Sequence, residues 1–114
     1  MINFKDGTKR VKPFKVNVAC LRKYRRLLGD SGKGINLRSG LVVLAPGVSV
    51  GRHCTTAKEE AIVFLEGRAR FYYGQKSFLQ IKAPAFIYVP KDVVHDIKNI
   101  ANKPLKYIYI TTAC

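Results

Sequence analysis

Two segments of this 114-residue chain carry the residue types that most often do chemistry. Residues 47–67 contain His53, with Glu60 seven positions later, and residues 84–99 contain His95, the second of the chain's two histidines. Imidazole and carboxylate groups bind divalent metals and transfer protons near neutral pH. Because isolated histidines are usually ordinary surface or core side chains, residue type alone leaves the chemical and the structural interpretation open.

The elements that must position these side chains are predicted to be short β-strands. Runs rich in Val, Ile, Phe and Tyr alternate with Gly, Pro, Asn and Asp, which is typical of strands and turns. The predicted strands lie at residues 41–44, 61–65, 68–73, 78–81, 86–89 and 105–112. A tight hairpin turn is predicted at Gly74. Many short strands in one chain of this length predict a single all-β domain, a sandwich or a barrel.

Residues 16–30 fit two patterns. The spacing of Leu21, Tyr24 and the two leucines that follow is compatible with a helix, whereas Val16 and Val18 alternate as in a strand. We favour a strand because the rest of the chain is predicted to be β.

The two segments resemble the two motifs of the cupin superfamily in its small single-domain form. At the positions of the first motif this chain has Gly47, His53, Thr55, Glu60 and Gly67. At the positions of the second motif it has Pro84, Pro90, Asp92, His95 and Asn99. The resemblance covers residues 41–112 and implies a double-stranded β-helix, the jelly-roll barrel of cupins. Residues 1–114 are then one domain, with N-terminal strands in residues 1–40 and the core barrel in residues 41–112.

The resemblance also implies a metal site with the ligands His53, Glu60 and His95. A second histidine of the first cupin motif is replaced by Thr55, so the fourth ligand is missing. Two imidazoles and one carboxylate with open positions suit Fe, Mn, Ni or Zn as divalent ions. Thr55 is at best a weak oxygen ligand, which lowers the expected affinity and leaves a metal-free protein as the alternative.

Because successive side chains of a β-strand point to opposite faces, the sequence predicts which way these side chains point. His53 and Thr55 should share one face, and Cys54 should point to the other. Ile62 and Phe64 should share the inward face of Glu60 and wall the cavity with apolar surface.

Two further candidates for contacting a substrate or supporting the ligands are Arg52 and Asn99. Arg52 and Lys58 lie beside the first motif and could bind an anionic substrate, although each alone is more often part of a solvated rim.

The charge of the chain indicates anionic partners. It has 21 Lys and Arg against 7 Asp and Glu, a net charge of +14. Residues 1–40 hold 11 basic and 2 acidic residues (+9), and residues 41–114 hold 10 and 5 (+5). Such a field attracts anions of any size. Because no nucleic-acid recognition motif accompanies the charge, we favour a small anionic ligand over nucleic acid.

The resulting hypothesis is a small metal-binding cupin that acts on a small, anionic metabolite by oxygenase-type or isomerase-type chemistry. A non-catalytic ligand-binding or sensing cupin is the alternative, and a basic nucleic-acid-associated protein is less favoured. The resemblance implies a homodimer. Scattered cysteines, the lack of a signal peptide and the lack of a membrane-spanning apolar run predict a cytoplasmic protein.

Overall fold

The computed structural model describes residues 12–29 and 36–112, and every regular element in these ranges is a β-strand. The strands are β1 Arg25–Leu28, β2 Leu37–Leu44, β3 His53–Cys54, β4 Glu60–Glu66, β5 Arg68–Tyr73, β6 Ser77–Lys82, β7 Ala85–Val89, β8 Val94–Asn99 and β9 Leu105–Thr112. Nothing in the described ranges forms a helix of the length and apolarity needed to cross a membrane.

The strands form two antiparallel sheets whose neighbours are mostly distant in sequence. One sheet has five strands in the order β1-β2-β9-β4-β7, and the other has four in the order β3-β8-β5-β6. The chain thus passes between the sheets as it winds, and strands that are not consecutive in the sequence pair with each other, as β2 does with β9 and β5 with β8. The all-β, double-stranded β-helix prediction is confirmed.

The core lies between the sheets, where each strand turns alternate side chains inward. Ile62 and Phe64 of β4 are fully buried and face the inward side chains of the other sheet, including Phe71 of β5 and Ile97 of β8. Burying an aliphatic or aromatic side chain of this size contributes about 1.5–3 kcal/mol to stability. This core fixes the distance between the sheets and therefore between the side chains that line the cavity at one end.

The six predicted strand segments are confirmed within β2, β4, β5, β6, β7 and β9. The predicted hairpin turn is also present, and Gly74 adopts a φ of 64° there, a left-handed conformation that glycine reaches without strain.

The strand interpretation of residues 16–30 is correct only for β1, and for residues 16–24 it is wrong. Their carbonyl groups find a different partner, because the Nζ of Lys106 donates to the carbonyl oxygens of Val18 and Ala19, each at 3.1 Å. Residues 1–11 and 30–35, where further N-terminal strands were expected, lie outside the described residues.

Candidate metal centre

The two histidines and Glu60 converge from both sheets. His53 of β3 and His95 of β8 are directly opposite each other in the four-stranded sheet, and their ring centroids are 4.3 Å apart. Glu60 is the first residue of β4 in the facing sheet. One potential ligand atom from each of the three side chains lies within 4.8 Å of the other two. The structure therefore brings together the three residues that the cupin resemblance implied as ligands.

Backbone carbonyls fix the orientation of both imidazole rings. Nδ1 of His53 is 2.8 Å from the carbonyl oxygen of Gly51, and Nδ1 of His95 is 2.8 Å from that of Val93. A carbonyl only accepts, so each Nδ1 carries the hydrogen and donates it. The lone pair of each neutral ring is then on Nε2, the nitrogen available to a metal. The sequence did not identify these two supporting groups.

The contact between His95 and Glu60 requires a proton or a metal cation between its two facing atoms. Nε2 of His95 lies 3.0 Å from Oε1 of Glu60, and His95 is fully buried while Glu60 is 6% exposed. Because Nδ1 already donates to Val93, a neutral ring would turn its lone pair toward the carboxylate, which is repulsive. Either a proton on Nε2 or a cation between the two atoms resolves the conflict.

Without a metal, the surroundings of His95 favour the proton. Burial lowers the pKa of its imidazole, but the hydrogen bonds to Glu60 and Val93 and the negative charges of Glu60 and Asp96 outweigh burial, so the pKa is raised. The donor set of two imidazole nitrogens and one carboxylate oxygen fits a divalent transition metal. A bound ion would take over the compensating role of the proton.

His53 and Glu60 line a cavity of about 630 Å³, within the range of small-molecule sites, and the fully buried His95 contacts both of them without lining it. Its apolar wall includes Val42, Val50 and Ile97. Its cationic residues other than histidine are Arg26, Arg38 and Lys58, and Glu60 is the one acidic residue among the described side chains that line it. The cavity is therefore suited to an anion that reaches the metal ligands.

A tyrosine pair forms the wall on the β1 side of the cavity. The hydroxyls of Tyr24 and Tyr109 are hydrogen-bonded at 2.8 Å, and Nε of Arg26 donates to the Tyr24 hydroxyl at 3.2 Å. Gly40 of β2 makes the pairing possible, because a Cβ there would lie only 2.7 Å from the Tyr109 ring and 2.8 Å from the Tyr24 hydroxyl. The Tyr109 ring thus passes over β2 at Gly40, which has no side chain.

Tyr107 and Tyr109 stay protonated at neutral pH because their surroundings raise the pKa of both hydroxyls. Burial and then the hydrogen bond to Tyr24 raise the pKa of Tyr109 to about 12. Burial, followed by the charges of Glu60 and Asp96, raises the pKa of Tyr107 even further. Both hydroxyls can therefore donate hydrogen bonds into the cavity.

Among the other predicted contacts, Thr55 does line the cavity, and its Oγ1 donates to the carbonyl oxygen of Lys58 at 3.2 Å. Cys54 lines the cavity too, although parity assigned it to the opposite face. Strand β3 is only two residues long, so regular alternation does not extend through this edge.

Phe64 and Arg52 are not among the cavity-lining residues. Phe64 lies four residues beyond Glu60 on β4, about 13 Å further along the strand, and it packs in the core against Tyr107 with ring centroids 5.2 Å apart. Arg52 precedes His53 and turns away, where its Nη2 donates to the carbonyl oxygen of Gly74 at 2.5 Å. The expectation that Ile62 and Phe64 wall the cavity is wrong, because both are core residues and neither lines it.

Asn99 is a structural residue in this fold. It is fully buried, its Nδ2 donates to the carbonyl oxygens of Leu44 and Lys103 at 3.0 and 2.8 Å, and its Oδ1 accepts from the N–H of Ala101 at 2.9 Å. The side chain joins the end of β2 to the turn after β8, and both of its polar atoms are engaged in these backbone contacts.

Sequence reasoning missed Arg26, Arg38 and the Tyr24–Tyr109 pair. They come from β1 and the residue before it, from β2 and from β9, outside the two motifs, and strand pairing brings them to the cavity. The sole sequence signal was the excess of basic residues in residues 1–40.

Fold and centre together define a small double-stranded β-helix protein with a His-Glu-His set at the edge of its internal cavity. The family model described as a cupin domain matches residues 40–111, and the chain belongs to the cupin family. The resemblance read from the two motifs is thereby confirmed. No curated protein matches the sequence significantly.

Solved structures agree with this assignment. The chain is similar to a protein from Bacillus halodurans, with 24% identity, a TM-score of 0.76, and coverage of 90% of this chain and 83% of the other. It is similar to a predicted oxalate decarboxylase from Thermotoga maritima, with 25% identity, a TM-score of 0.71, and coverage of 80% and 79%. It also resembles the Cnp3 cupin domain of Schizosaccharomyces pombe, with 15% identity, a TM-score of 0.70 and 80% of this chain covered, but it spans only 64% of that chain.

Proposed function

We propose that this protein is a metal-binding cupin that takes a small anionic metabolite into its cavity. One observation carries the proposal: His53, Glu60 and His95 converge beside a cavity that His53 and Glu60 line, and the other charged residues that line it are cations. A divalent ion held by these three residues would polarise substrate oxygens as a Lewis acid. The reaction we propose is of the oxygenase or isomerase type.

The cations would bind and orient the substrate. Guanidinium groups recognise carboxylate and phosphate through paired hydrogen bonds, and Arg26 and Arg38 both line the cavity. Tyr107 and Tyr109 would donate further hydrogen bonds, since both stay neutral. A substrate with one anionic group for the arginines and oxygens for the metal ligands fits this arrangement. Thr55 remains a proposed contact to the substrate.

The similarity to a predicted oxalate decarboxylase makes oxalate and related small dicarboxylates the first probes. Binding to the metal-loaded protein can be measured by calorimetry. Arg26→Gln should weaken binding about tenfold, since a charge-assisted hydrogen bond contributes about 1.5–3 kcal/mol. Arg25→Gln is the matched control, because Arg25 is the preceding residue on β1, is exposed and does not line the cavity. Equal effects of the two variants would count against the cavity as the binding site.

A non-catalytic ligand-binding cupin is the second candidate, and the replacement of a motif histidine by Thr55 favours it. Product formation from a bound dicarboxylate would support the enzyme. A rise in melting temperature with saturating ligand and no turnover would support the binding module. Cys20 and Cys54 are both free, which supports the proposal of a reducing, cytoplasmic location.

A further inference from the structure

The outward surface of the four-stranded sheet is rich in cations and aromatic rings. On β5, the buried residues Ala69 and Phe71 alternate with Arg68, Arg70 and Tyr72. The side chains of Arg68, Arg70 and Tyr72 therefore point away from the core. Cross-strand neighbours on β6 and β8 extend this surface. We call it the basic face, and its members are Arg68, Arg70, Lys82, Lys98, Tyr72 and Phe78.

Strand register sets the cations of the basic face directly against one another. Arg68 of β5 is opposite Lys82 of β6, and Arg70 of β5 is opposite Lys98 of β8. Like charges in directly opposed positions destabilise a sheet. An anion lying across the face would remove this repulsion, so the arrangement favours a bound polyanion over bare solvent.

The nearest acidic side chain on the same surface does not neutralise these cations. Asp96 of β8 is opposite Tyr72, and its Oδ1 accepts a hydrogen bond from the backbone N–H of Gly51 at 2.9 Å. That contact holds the carboxylate toward the segment before β3, on the side of β8 away from β5. The positive potential at Arg70 and its neighbours on β5 and β6 is therefore largely uncompensated.

Aromatic rings continue the basic face along the same two strands. Tyr72 and Phe78 are directly opposed, with ring centroids 5.9 Å apart, and Phe78 is 45% exposed. The Arg70 guanidinium lies over the Phe78 ring, with Cζ 4.7 Å from its centroid. Within the described part of the chain, Nε of Arg70 is the one buried side-chain nitrogen or oxygen without a hydrogen-bond partner.

We propose that the basic face binds single-stranded nucleic acid. Proteins that hold single strands combine cations for the phosphates with aromatic rings on which bases stack, and the face supplies four cations and a ring pair on adjacent strands. An acidic protein segment would use the cations but leave the rings without a stacking partner. The site is separate from the cavity, since none of its six residues lines that cavity.

The test is the fluorescence anisotropy of labelled single-stranded DNA and RNA oligonucleotides of about 12 nucleotides, titrated with the full chain between about 50 and 200 mM salt. The exposed pair Lys82→Gln with Lys98→Gln should weaken binding about tenfold and make the log-log salt slope shallower by about 1.4, since each phosphate contact to a single strand contributes about 0.7. Phe78→Ala should weaken binding about tenfold through lost stacking.

Matched controls separate the basic face from the general positive charge. Lys91→Gln with Lys103→Gln removes the same number of charges from exposed positions off the face, and Phe14→Ala removes an exposed ring from the segment before β1. Both should bind like the unsubstituted chain. Equal losses in the face and control variants would overturn the proposal, because binding would then follow net charge alone.

Two further outcomes would also overturn it. Equal affinity for a duplex of the same length would show that unpaired bases do not contribute to binding. Tighter binding of polyglutamate than of the oligonucleotides, with no effect of Phe78→Ala, would assign the face to an acidic protein. His53→Ala should leave oligonucleotide affinity unchanged, so this inference and the proposed metal function fail independently.

Discussion

His95 and Glu60 meet across the two sheets, with Nε2 of the imidazole 3.0 Å from Oε1 of the carboxylate and both side chains buried. The carbonyl of Val93 occupies the other ring nitrogen, so the pair is electrostatically balanced only when a proton or a metal ion stands between its two atoms. His53 lies 4.3 Å from the same imidazole, measured between ring centroids. This arrangement makes metal binding the central chemical expectation for the chain.

Asn99→Ala should destabilise the protein without changing metal binding. The variant loses three side-chain hydrogen bonds and leaves the carbonyl of Leu44 without its buried donor, which should cost about 2–4 kcal/mol in the free energy of unfolding. Denaturant unfolding measures the loss. Asn102→Ala, at an exposed position in the same turn, should stay within about 0.5 kcal/mol of the original chain. A loss of metal affinity in Asn99→Ala with unchanged stability would contradict the structural role.

Gly40→Ala should disrupt the tyrosine wall of the cavity. The added methyl would lie 2.7 Å from the Tyr109 ring, and such overpacking costs about 1–3 kcal/mol. The double variant Gly40→Ala with Tyr109→Leu removes the ring that collides. Its destabilisation in denaturant unfolding should therefore be smaller than the sum of the two single effects. Additive effects would show that the methyl and the ring do not meet.

Deprotonation of Tyr109 should reduce the stability of the fold at alkaline pH. Its pKa is 10.0 in a model peptide and about 12 in the fold, so the folded state holds this proton more tightly than the unfolded state. The resulting stabilisation is complete below pH 10 and is lost as the pH rises toward 12. Between these values the free energy of unfolding should fall more steeply for the original chain than for Tyr109→Phe. Parallel pH profiles would contradict the raised pKa.

We propose a homodimer that pairs through the outer surface of the five-stranded sheet. Phe86 and Tyr88 of the edge strand β7 are 65% and 53% exposed, and β4 places Val63 opposite Phe86. Contiguous exposed apolar residues of this kind are typical of protein–protein contacts. Light scattering should give a dimeric mass for the original chain and a monomeric mass for Phe86→Glu. Phe78→Glu, on the other sheet, should remain dimeric, and a monomeric original chain would reject the proposal.

The sequence was sufficient to predict the fold and the convergence of His53, Glu60 and His95 because both depend on local patterns. Alternating apolar residues marked six strands, and motif spacing identified His53, Glu60 and His95. Strand β8 escaped the strand prediction because its inward face carries His95 and Asn99, whose polarity hides the alternation that burial reveals.

The remaining features of the site depend on long-range pairing, which residue spacing does not encode. Arg38 faces the cavity because β2 pairs with β9 in a register that sets it opposite Thr111. Phe64 has the parity of Glu60 but lies too far along β4 to reach the cavity. The opposed cations of the basic face also follow from register rather than from any contiguous motif.

The most direct test of the metal centre is calorimetric titration of metal-stripped protein with Fe(II), Mn(II), Ni(II) and Zn(II), each alone. The original chain should bind one ion per chain, and Glu60→Gln should weaken binding at least about tenfold, since even residues that only support ligands change affinity by about 10–100-fold. Glu59→Gln is the matched control, because Glu59 is adjacent but exposed and accepts a hydrogen bond from Tyr88. It should bind normally. No binding of any of these ions by the folded original chain, or equal affinities of the two glutamine variants, would contradict the metal centre.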